Sequence, residues 1–457
     1  MKELTLKQIA DWCGGTVAPE YETVPVTGVE SDSRKVEVGD LFVALRGERV
    51  DGHDFIPSAK TLGASAALVS RPSDELPCVV VESPLRAYGE IAKHYREMTG
   101  VKVVGITGSV GKTTTKEMIA NVLSRDFKLY KSEGNHNNEI GLPMTVMNMP
   151  EDTELLVAEL GTNHPGEIAY LSAIAQPDYA VITNIGIAHI EYLGSREGIL
   201  REKLDILRSS LKNTVGIFNG DEPLLWNVRD KGTHKKYYFG IDNPSCDVVA
   251  SGIQELDDGM RFHVSGFHHE FELFVPALGR HMVYNALAAA TVGLAMGVKP
   301  ETIQNELSIF RNTGMRQKIY EKNGMTIIED CYNAGPESTE AALGVLASVK
   351  TSGKRIAVLG DMLELGNRSS AEHYRIGRIA AQKADLLLTY GAHSVRTVTG
   401  AITGGMSPKN AEHFDTHEDL VRMLKMRAGE ADVILFKGSR GMKMERVLQM
   451  FLDDHEA

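Results

Sequence analysis

The chain has 457 residues and a formal net charge of −12 at pH 7, and 42% of its residues are hydrophobic. This length exceeds what one hydrophobic core organises, so the sequence predicts about three domains. The acidic balance argues against broad binding to nucleic acid or to an anionic membrane, and no apolar stretch is long enough to span one. The four scattered cysteines predict reduced thiols, and the first residues lack a signal-peptide core. We therefore expect a monomeric cytoplasmic enzyme.

Short strand-like runs separated by turn-rich segments characterise the first part of the chain. The predicted strands are 41–45, Ala66–Val69 and 78–81, and the predicted helices are 55–63 and Pro84–Thr99. A boundary near residue 97 makes residues 1–97 a first domain with a mixed α/β fold.

Glycines and a Lys-Thr pair follow an apolar run at 101–104, where residues 105–115 read Gly-Ile-Thr-Gly-Ser-Val-Gly-Lys-Thr-Thr-Thr. Consecutive backbone N–H groups at a helix N-terminus bind phosphate, Lys112 would reach the β- and γ-phosphates, and Thr113 would contact Mg²⁺. Ile106 stands where a strict Walker A motif has glycine, so the spacing is shorter. The expected nucleotide contacts in this loop are Thr107, Gly108, Ser109, Val110, Gly111, Lys112, Thr113 and Thr114.

Strands and helices then alternate as in βαβ units, which predicts a parallel sheet buried between helices. The predicted strands are 155–160, 179–184 and 214–219. An antiparallel section at 247–274, with a glycine turn at 257–259, and helices at 283–296 and 300–310 complete a central P-loop-type domain at 98–313.

A third alternating set predicts a C-terminal Rossmann-like α/β domain at 314–457. Its predicted strands are 326–329, 355–359, Leu386–Tyr390 and 433–436. The fold class is therefore α/β with three domains.

Two polar side chains follow strand ends in the central domain, where ligands bind in open α/β sheets. Glu159 ends one strand and could hold Mg²⁺, or it could be a solvated carboxylate. His189 follows the next strand in a glycine-containing loop, as a second metal ligand or a surface histidine. Lys203 lies in an amphipathic helix, and its periodicity alone predicts a solvated lysine.

Two groups of amide side chains are candidates for ligand recognition. Asn137 and Asn138 lie in an Asn-rich segment at 135–143 and suit phosphate or sugar contacts, although Asn and Gly are also ordinary turn residues. Asn285, at the start of the Ala-rich helix, could bind an adenine edge or serve as a capping or packing residue.

Three residues of the third domain could reach the nucleotide. Arg316 could bring a guanidinium to the γ-phosphate, or it could be a surface ion-pair partner. Asp330 and Asn333 follow a strand and suit contacts with ribose or metal-bound water, and a plain turn before Pro336 is the alternative.

Taken together, these segments resemble the Mur ligase family over essentially the whole chain. The shortened phosphate loop at 108–114 is a feature of that family, and segment 135–143 resembles its branch that adds D-alanyl-D-alanine. The other matching segments are 31–34, 39–45, 51–54, 159–161, 188–189, 279–290, 330–334, 359–366 and 437–440. Met282, where asparagine is common, and Gly335, where asparagine often precedes proline, depart from the family pattern.

The resemblance implies ATP and Mg²⁺ as cofactors, with Glu159 and His189 at metal-binding positions. It also implies that Lys203 is carbamylated and acts toward Mg²⁺ as a carboxylate, alongside Thr113. Lys112 and Arg316 would join these residues as the catalytic set. The implied substrate-binding residues are Ser31, Asp32, Ser33, Arg34, Gly47, His53, Asn137 and Asn138.

The resemblance further implies an amide ligase with UDP-N-acetylmuramoyl-tripeptide and D-alanyl-D-alanine as partners. The substrate carboxylate would attack the γ-phosphate of ATP, and the dipeptide amine would then displace phosphate from the acyl phosphate. Another Mur ligase or a folylpolyglutamate-synthase-like enzyme is the alternative within this chemistry. A regulatory P-loop NTPase is the alternative from another class, but it leaves Glu159, His189 and Lys203 unexplained.

Overall fold

A computed structural model of the chain describes residues 1–47, 49–208 and 213–453. The strands are β1 (Leu4–Thr5), β2 (Pro25–Val26), β3 (Gly28–Glu30), β4 (Asp40–Val43), β5 (Ala66–Val69), β6 (Cys78–Val80), β7 (Lys102–Thr107), β8 (Leu129–Lys131), β9 (Leu155–Glu159), β10 (Tyr179–Ile182), β11 (Val215–Asn219), β12 (Lys236–Gly240), β13 (Val248–Leu256), β14 (Gly259–Gly266), β15 (His269–Val275), β16 (Lys318–Lys322), β17 (Met325–Asp330), β18 (Arg355–Gly360), β19 (Leu386–Tyr390), β20 (Ala411–Phe414) and β21 (Val433–Lys437).

The α-helices of the described residues lie between these strands, except for the last, which follows β21. They are α1 (Leu6–Cys13), α2 (Ile56–Leu62), α3 (Pro84–Thr99), α4 (Lys112–Leu123), α5 (Gly141–Met147), α6 (Glu167–Ala175), α7 (Ile190–Leu193), α8 (Arg196–Arg208), α9 (Pro223–Trp226), α10 (Arg280–Ala295), α11 (Pro300–Ser308), α12 (Pro336–Ser348), α13 (Ser369–Lys383), α14 (Val395–Thr403), α15 (His417–Arg427) and α16 (Met444–Asp453). Within the part of the chain that is described, none of them combines the length and apolar character needed to cross a membrane.

The first domain contains a parallel sheet in the order β3-β4-β5-β6. Strands β4 and β5 are buried along their whole length, and apart from Asp40 at the start of β4 all their residues are apolar. Helix α3 starts at Pro84, and the hydroxyl of Ser83 accepts the N–H of Arg86, so the first turn is capped. The sequence predicted β5 and α3 with their observed bounds.

The central domain is built on a nine-stranded sheet in the order β15-β14-β13-β12-β11-β10-β7-β9-β8. The strands from β8 to β13 are parallel, and β13, β14 and β15 form the antiparallel section that the glycine turn predicted. Helix α10 is buried almost all round, and Gly293 lets it approach Val122 of α4 closely, since an added Cβ would lie 2.8 Å from Val122 Cγ1. The helix that follows the phosphate loop is thereby fixed in place.

The C-terminal domain contains a six-stranded sheet in the order β16-β17-β21-β18-β19-β20. Strand β16 is antiparallel at one edge, and the others are parallel. Strands β16 and β20 were not predicted, because β16 is largely exposed and carries charged residues, and β20 has only one buried residue. The predicted three-domain α/β fold is confirmed, and residues 454–457 of the predicted third domain lie outside the described residues.

The order β10-β7-β9 places a topological switch point at the carboxyl end of β7. The chain leaves β7 into the phosphate loop, and the loops after β9 and β10 flank it on both sides. Ligands of open α/β sheets bind at such a crevice. This topology brings residues 108–111, 160–166 and 183–189 to one edge of the sheet.

Candidate functional site

A cavity of about 1010 Å³ lies over this edge of the central sheet, and the C-terminal domain forms its other wall. Arg86 reaches it from the first domain, where its guanidinium lies 4.5 Å from the Tyr170 ring centroid. The predicted site residues that line the cavity are Ser109, Val110, Gly111, Lys112, Thr114, Asn137, Asn138, Glu159, His189, Asn285, Arg316, Asp330 and Asn333.

The phosphate loop is tightly seated against the loop after β10. Gly111, with a φ of 82°, precedes the first residue of α4, and an added Cβ at Gly108 would lie 1.8 Å from Thr183 Oγ1. Only glycine fits such a close approach. The Lys112 ammonium donates to the carbonyl of Gly108 at 2.9 Å, so its charge lies within the loop. Burial lowers the pKa of Lys112, Glu159 opposes that shift, and Arg316 adds to it.

Two residues after β10 hold the loop backbone, and the sequence reasoning gave them no role. Thr183 Oγ1 donates to the carbonyl of Val110 at 2.6 Å. Asn184 Oδ1 accepts the N–H of Val110 at 3.0 Å. Their position directly after β10, in the segment that leads to His189, is the signal that could have found them. They fix the shape of the phosphate loop from the neighbouring strand.

Glu159 is 2% exposed at the end of β9, which excludes the solvated alternative. Its Oε2 accepts the Thr113 hydroxyl at 2.6 Å, and its Oε1 accepts the Asn137 amide at 2.9 Å. Asn138 instead accepts the N–H groups of Ile140 and Gly141, at the start of α5. Asn137 thus positions the carboxylate, and Asn138 stabilises the turn that carries Asn137.

Lys203 is 2% exposed on α8, so its solvated interpretation from periodicity is wrong. Burial lowers the pKa of Lys203 well below its usual range, and the nearby Lys112 lowers it further. Glu202 beside it accepts the N–H groups of Gly166 and Ile168 at 2.7 and 2.8 Å. Among the described residues the Lys203 ammonium has no hydrogen bond or ion pair. A buried amine of this kind is neutral far more often than a surface lysine.

The His189 side chain is 16% exposed, which excludes a plain surface histidine. Its backbone φ is 59°, in the left-handed region, and it precedes the short helix α7. Its Nδ1 lies 2.5 Å from Glu364 Oε2 of the C-terminal domain, although the N–H direction falls outside hydrogen-bond angles. Within the described residues no three His, Cys, Asp or Glu side chains converge as metal ligands. The candidate cation ligands are the Glu159 carboxylate, the His189 imidazole and the Thr113 hydroxyl.

Asn285 faces the phosphate loop from α10. Its Oδ1 accepts the Thr115 hydroxyl at 3.2 Å, and its Nδ2 lies 3.7 Å from Met282 Sδ. An added Cβ at Gly111 would lie 2.7 Å from the same Oδ1. The amide therefore packs against the loop while still lining the cavity, so the structure is compatible with both of the roles that the sequence left open.

The C-terminal wall of the cavity carries Arg316, Asp330 and Asn333. The Arg316 guanidinium lies 4.0 Å from the Tyr332 ring centroid, and among the described residues it forms no ion pair. The sequence reasoning did not assign Lys437, which is 2% exposed and donates to Asp330 Oδ2 at 2.6 Å and to the carbonyl of Asn333 at 2.9 Å. Its place at the end of a buried strand beside the β17 strand end is the signal for it.

The predicted residues of the first domain do not line this cavity. Glu30 Oε1 accepts the N–H groups of Ser31 and Asp32. The Arg34 guanidinium pairs with Asp32 and lowers the pKa of that carboxyl to about 2. His53 contacts Asp51 Oδ1 at 2.6 Å, while Gly47 donates to the carbonyl of Val50, and no hydrogen bond of Ser33 is found in the described part of the chain. These residues therefore lie on the first domain outside the cavity, most of them with local partners of their own.

Comparison with known proteins relates all three domains to one family. Residues 25–108 match the Mur ligase family catalytic domain, residues 106–293 the Mur ligase middle domain, and residues 315–440 the Mur ligase glutamate ligase domain. The chain is 41% identical over 460 residues to the Bacillus subtilis (strain 168) protein named UDP-N-acetylmuramoyl-tripeptide–D-alanyl-D-alanine ligase, with 99% of each chain covered.

Two solved structures share the fold. A crystal structure of MurF from Acinetobacter baumannii superposes with a TM-score of 0.90 at 32% identity and covers 99% of each chain. MurF ligase from Thermotoga maritima in complex with ADP superposes with a TM-score of 0.83 at 31% identity and covers 94% of this chain and 98% of that one. The chain belongs to the Mur ligase family.

Proposed function

We propose that the protein is an ATP-dependent ligase that joins D-alanyl-D-alanine to UDP-N-acetylmuramoyl-tripeptide in peptidoglycan precursor synthesis. The observation that carries this proposal is the cavity itself, because Lys112 and Glu159 of the central domain face Arg316 and Lys437 of the C-terminal domain across it. A phosphate site on one domain, faced by a second domain across the cavity, suits a reaction that activates a carboxylate and then keeps water away from the activated species. The full-length similarity to proteins of that name supports the choice of substrates.

We assign the nucleotide to the phosphate loop and its neighbours. Lys112 would neutralise the β- and γ-phosphates, and Arg316 would approach the γ-phosphate from the opposite wall. Its stacking on Tyr332 holds the guanidinium at that wall, and within the described part of the chain no ion pair occupies its N–H groups. The remaining proposed nucleotide contacts are Thr107, Gly108, Ser109, Val110, Gly111, Thr113, Thr114, Asn285, Asp330 and Asn333.

The donor set around Glu159 fits Mg²⁺, which prefers hard oxygen ligands together with phosphate. Thr113 and Glu159 already contact each other, and His189 lines the same cavity. Bound there, Mg²⁺ would neutralise phosphate charge. Lys203 adds an oxygen ligand only as a carbamate, which forms when its neutral amine attacks carbon dioxide and releases a proton. Its burial and lowered pKa favour that neutral amine.

The reaction proceeds in two steps on this arrangement. A carboxylate oxygen of the tripeptide forms a bond to the γ-phosphorus, and the bond from that phosphorus to the bridging oxygen breaks, releasing ADP. The amine of D-alanyl-D-alanine then attacks the acyl carbon, and phosphate leaves with that oxygen as the amide forms and the amine loses a proton. Lys112 and Arg316 stabilise negative charge on the transferring group, where electrostatics supplies most of the catalysis.

We assign the uridine nucleotide to the first domain and the peptide end to the cavity. Ser31, Asp32, Ser33, Arg34, Gly47 and His53 would bind the nucleotide part, and Asn137 and Asn138 the peptide side. We also propose domain bounds of 1–97, 98–313 and 314–457, a monomeric state and a cytoplasmic location. The sheets β3–β6, β7–β15 and β16–β21 each lie within one of these ranges, which supports the division.

The test is the dependence of ADP release on the two acceptor components. We expect ADP to form at a substantial rate only when UDP-linked tripeptide and D-alanyl-D-alanine are both present, with one pentapeptide product for each ADP. Release with a single free amino acid in place of the dipeptide would assign the chain to another amino-acid ligase. Steady release without any acceptor amine would instead favour a regulatory NTPase.

A further inference from the structure

Two carboxylates of the C-terminal domain contact the loop 185–189 that carries His189. Glu337, in the first turn of α12, accepts the N–H of Ile187 through Oε1 at 2.9 Å. The same side chain covers Gly186, where an added Cβ would lie 2.7 Å from Oε1. Glu364 reaches the other end of the loop, with Oε2 2.5 Å from His189 Nδ1. The C-terminal domain therefore contacts both the backbone and the ring of this loop.

The imidazole of His189 is turned so that its two nitrogens face different surroundings. Nδ1 is buried against Glu364, while the side chain lines the cavity near the phosphate loop. Within the described residues no hydrogen bond or ion pair of Nε2 is found. A metal-bound histidine commonly donates its other ring N–H to a carboxylate, which fixes the tautomer and the ring orientation. The contact between His189 Nδ1 and Glu364 Oε2 brings the same two groups together across a domain boundary.

Glu364 is held in place by its own domain. The N–H of Leu363 donates to Ser439 Oγ at 2.9 Å, and the N–H of Met362 donates to His373 Nε2 at 3.0 Å. Asp361, 2% exposed, accepts the N–H of His393 at 3.0 Å. The backbone φ of Glu364 is 62°, a left-handed conformation that persists in a non-glycine residue only where the surroundings fix it. The carboxylate is thus presented by a rigid support rather than by a free loop.

We propose that Glu364 is a positioning residue for the divalent cation: it accepts the Nδ1 proton of His189 and directs the Nε2 lone pair to the metal when the two domains meet. The inference rests on the proposed function, since it takes His189 as a metal ligand. Because Glu364 belongs to the C-terminal domain, tight metal binding and domain contact become linked. Because the N–H direction now falls outside hydrogen-bond angles, the proposal requires the imidazole to rotate toward the carboxylate when the metal binds.

The test uses Mn²⁺ as the probe, with ADP bound and no turnover. Nitrogen modulation in the electron spin-echo signal of Mn²⁺ reports a coordinated imidazole, and a titration gives the dissociation constant. In Glu364→Ala we expect a roughly tenfold higher Kd for Mn²⁺ and weakened modulation. Glu364→Gln keeps an amide oxygen that accepts the Nδ1 proton, so it should recover most of the affinity.

The matched control is Asp257→Asn. It breaks an exposed ion pair between the same two domains, in which Asp257 lies 2.7 Å from Lys350, without touching the metal loop. We expect its Kd for Mn²⁺ and its modulation to equal those of the wild type. Unchanged binding and modulation in Glu364→Ala would overturn the role of Glu364 alone. Absent nitrogen modulation in the wild type would overturn the metal role of His189 and this inference with it, while the dependence of ADP release on both acceptors would still test the ligase assignment.

Discussion

Replacing Lys112 with alanine is expected to lower kcat by about 10³-fold, which corresponds to about 4 kcal/mol of lost transition-state stabilisation. The ammonium lies inside the phosphate loop, where it donates to the Gly108 carbonyl. A phosphate bound in the loop would therefore meet this charge with little water between them. Lys112→Arg should not restore the rate, because the larger guanidinium does not fit the close loop. The measurement is ADP release at saturating ATP, tripeptide and dipeptide.

The same variant separates catalysis from folding. Burial lowers the pKa of Lys112 and Arg316 lowers it further, and the charge on Lys112 in turn lowers the pKa of Lys203, so the Lys112 ammonium is held at a cost. We therefore expect the free energy of unfolding of Lys112→Ala to be no lower than that of the wild type, as measured by urea denaturation. Lys128→Ala, on an exposed lysine, is the control and should leave both quantities unchanged. A Lys112→Ala enzyme with near-normal kcat would contradict the assignment of the phosphate loop.

Replacing Lys203 with alanine is expected to reduce kcat by about 100-fold, because the variant cannot form the carbamate that would add an oxygen ligand to the metal site. A short carboxylic acid such as acetate should restore part of the activity by entering the vacated space. In the wild type, equilibration with carbon-13 bicarbonate should give a carbamate resonance, and this resonance should be absent from Lys203→Arg.

Arg201→Ala is the matched control, since Arg201 lies exposed on the same helix α8. It should show wild-type kcat and the same carbamate resonance. Full activity in Lys203→Ala would rule out a carbamate role in the reaction. Loss of activity with no carbamate resonance in the wild type would leave Lys203 as a plain amine near the phosphates and would also contradict the carbamate.

The fold followed from apolar patterning wherever strands are buried on both faces. Strands β5 and β19 begin and end at the residues that the sequence predicted. Their apolar residues mark the part of the chain that is buried on both faces of the sheet. Strand β16 escaped prediction because it is a mostly exposed edge strand. Short β20, with one buried residue, gave no apolar run to recognise.

The candidate site was predictable on the central domain because strand ends and the phosphate loop share one sheet edge. Glu159 and His189 were found by this reasoning. The burial of Lys203 was not, because the periodicity of a helix does not show whether another element packs over one of its polar residues. Lys437 contacts Asp330 and Asn333 within its own domain, at neighbouring strand ends, whereas the role of Glu364 depends on how two domains meet. A contact between Glu364 and His189 joins residues that are far apart in the chain, and single-sequence patterns do not encode it.

The origin of the oxygen in the released phosphate tests the central claim most directly. With UDP-linked tripeptide carrying oxygen-18 in its reacting carboxylate, ligation through an acyl phosphate transfers one labelled oxygen to each phosphate that is released. We predict this transfer in the presence of ATP and D-alanyl-D-alanine, measured by mass spectrometry of the phosphate. Phosphate that carries no label from the tripeptide, and takes its new oxygen from water instead, would contradict the account.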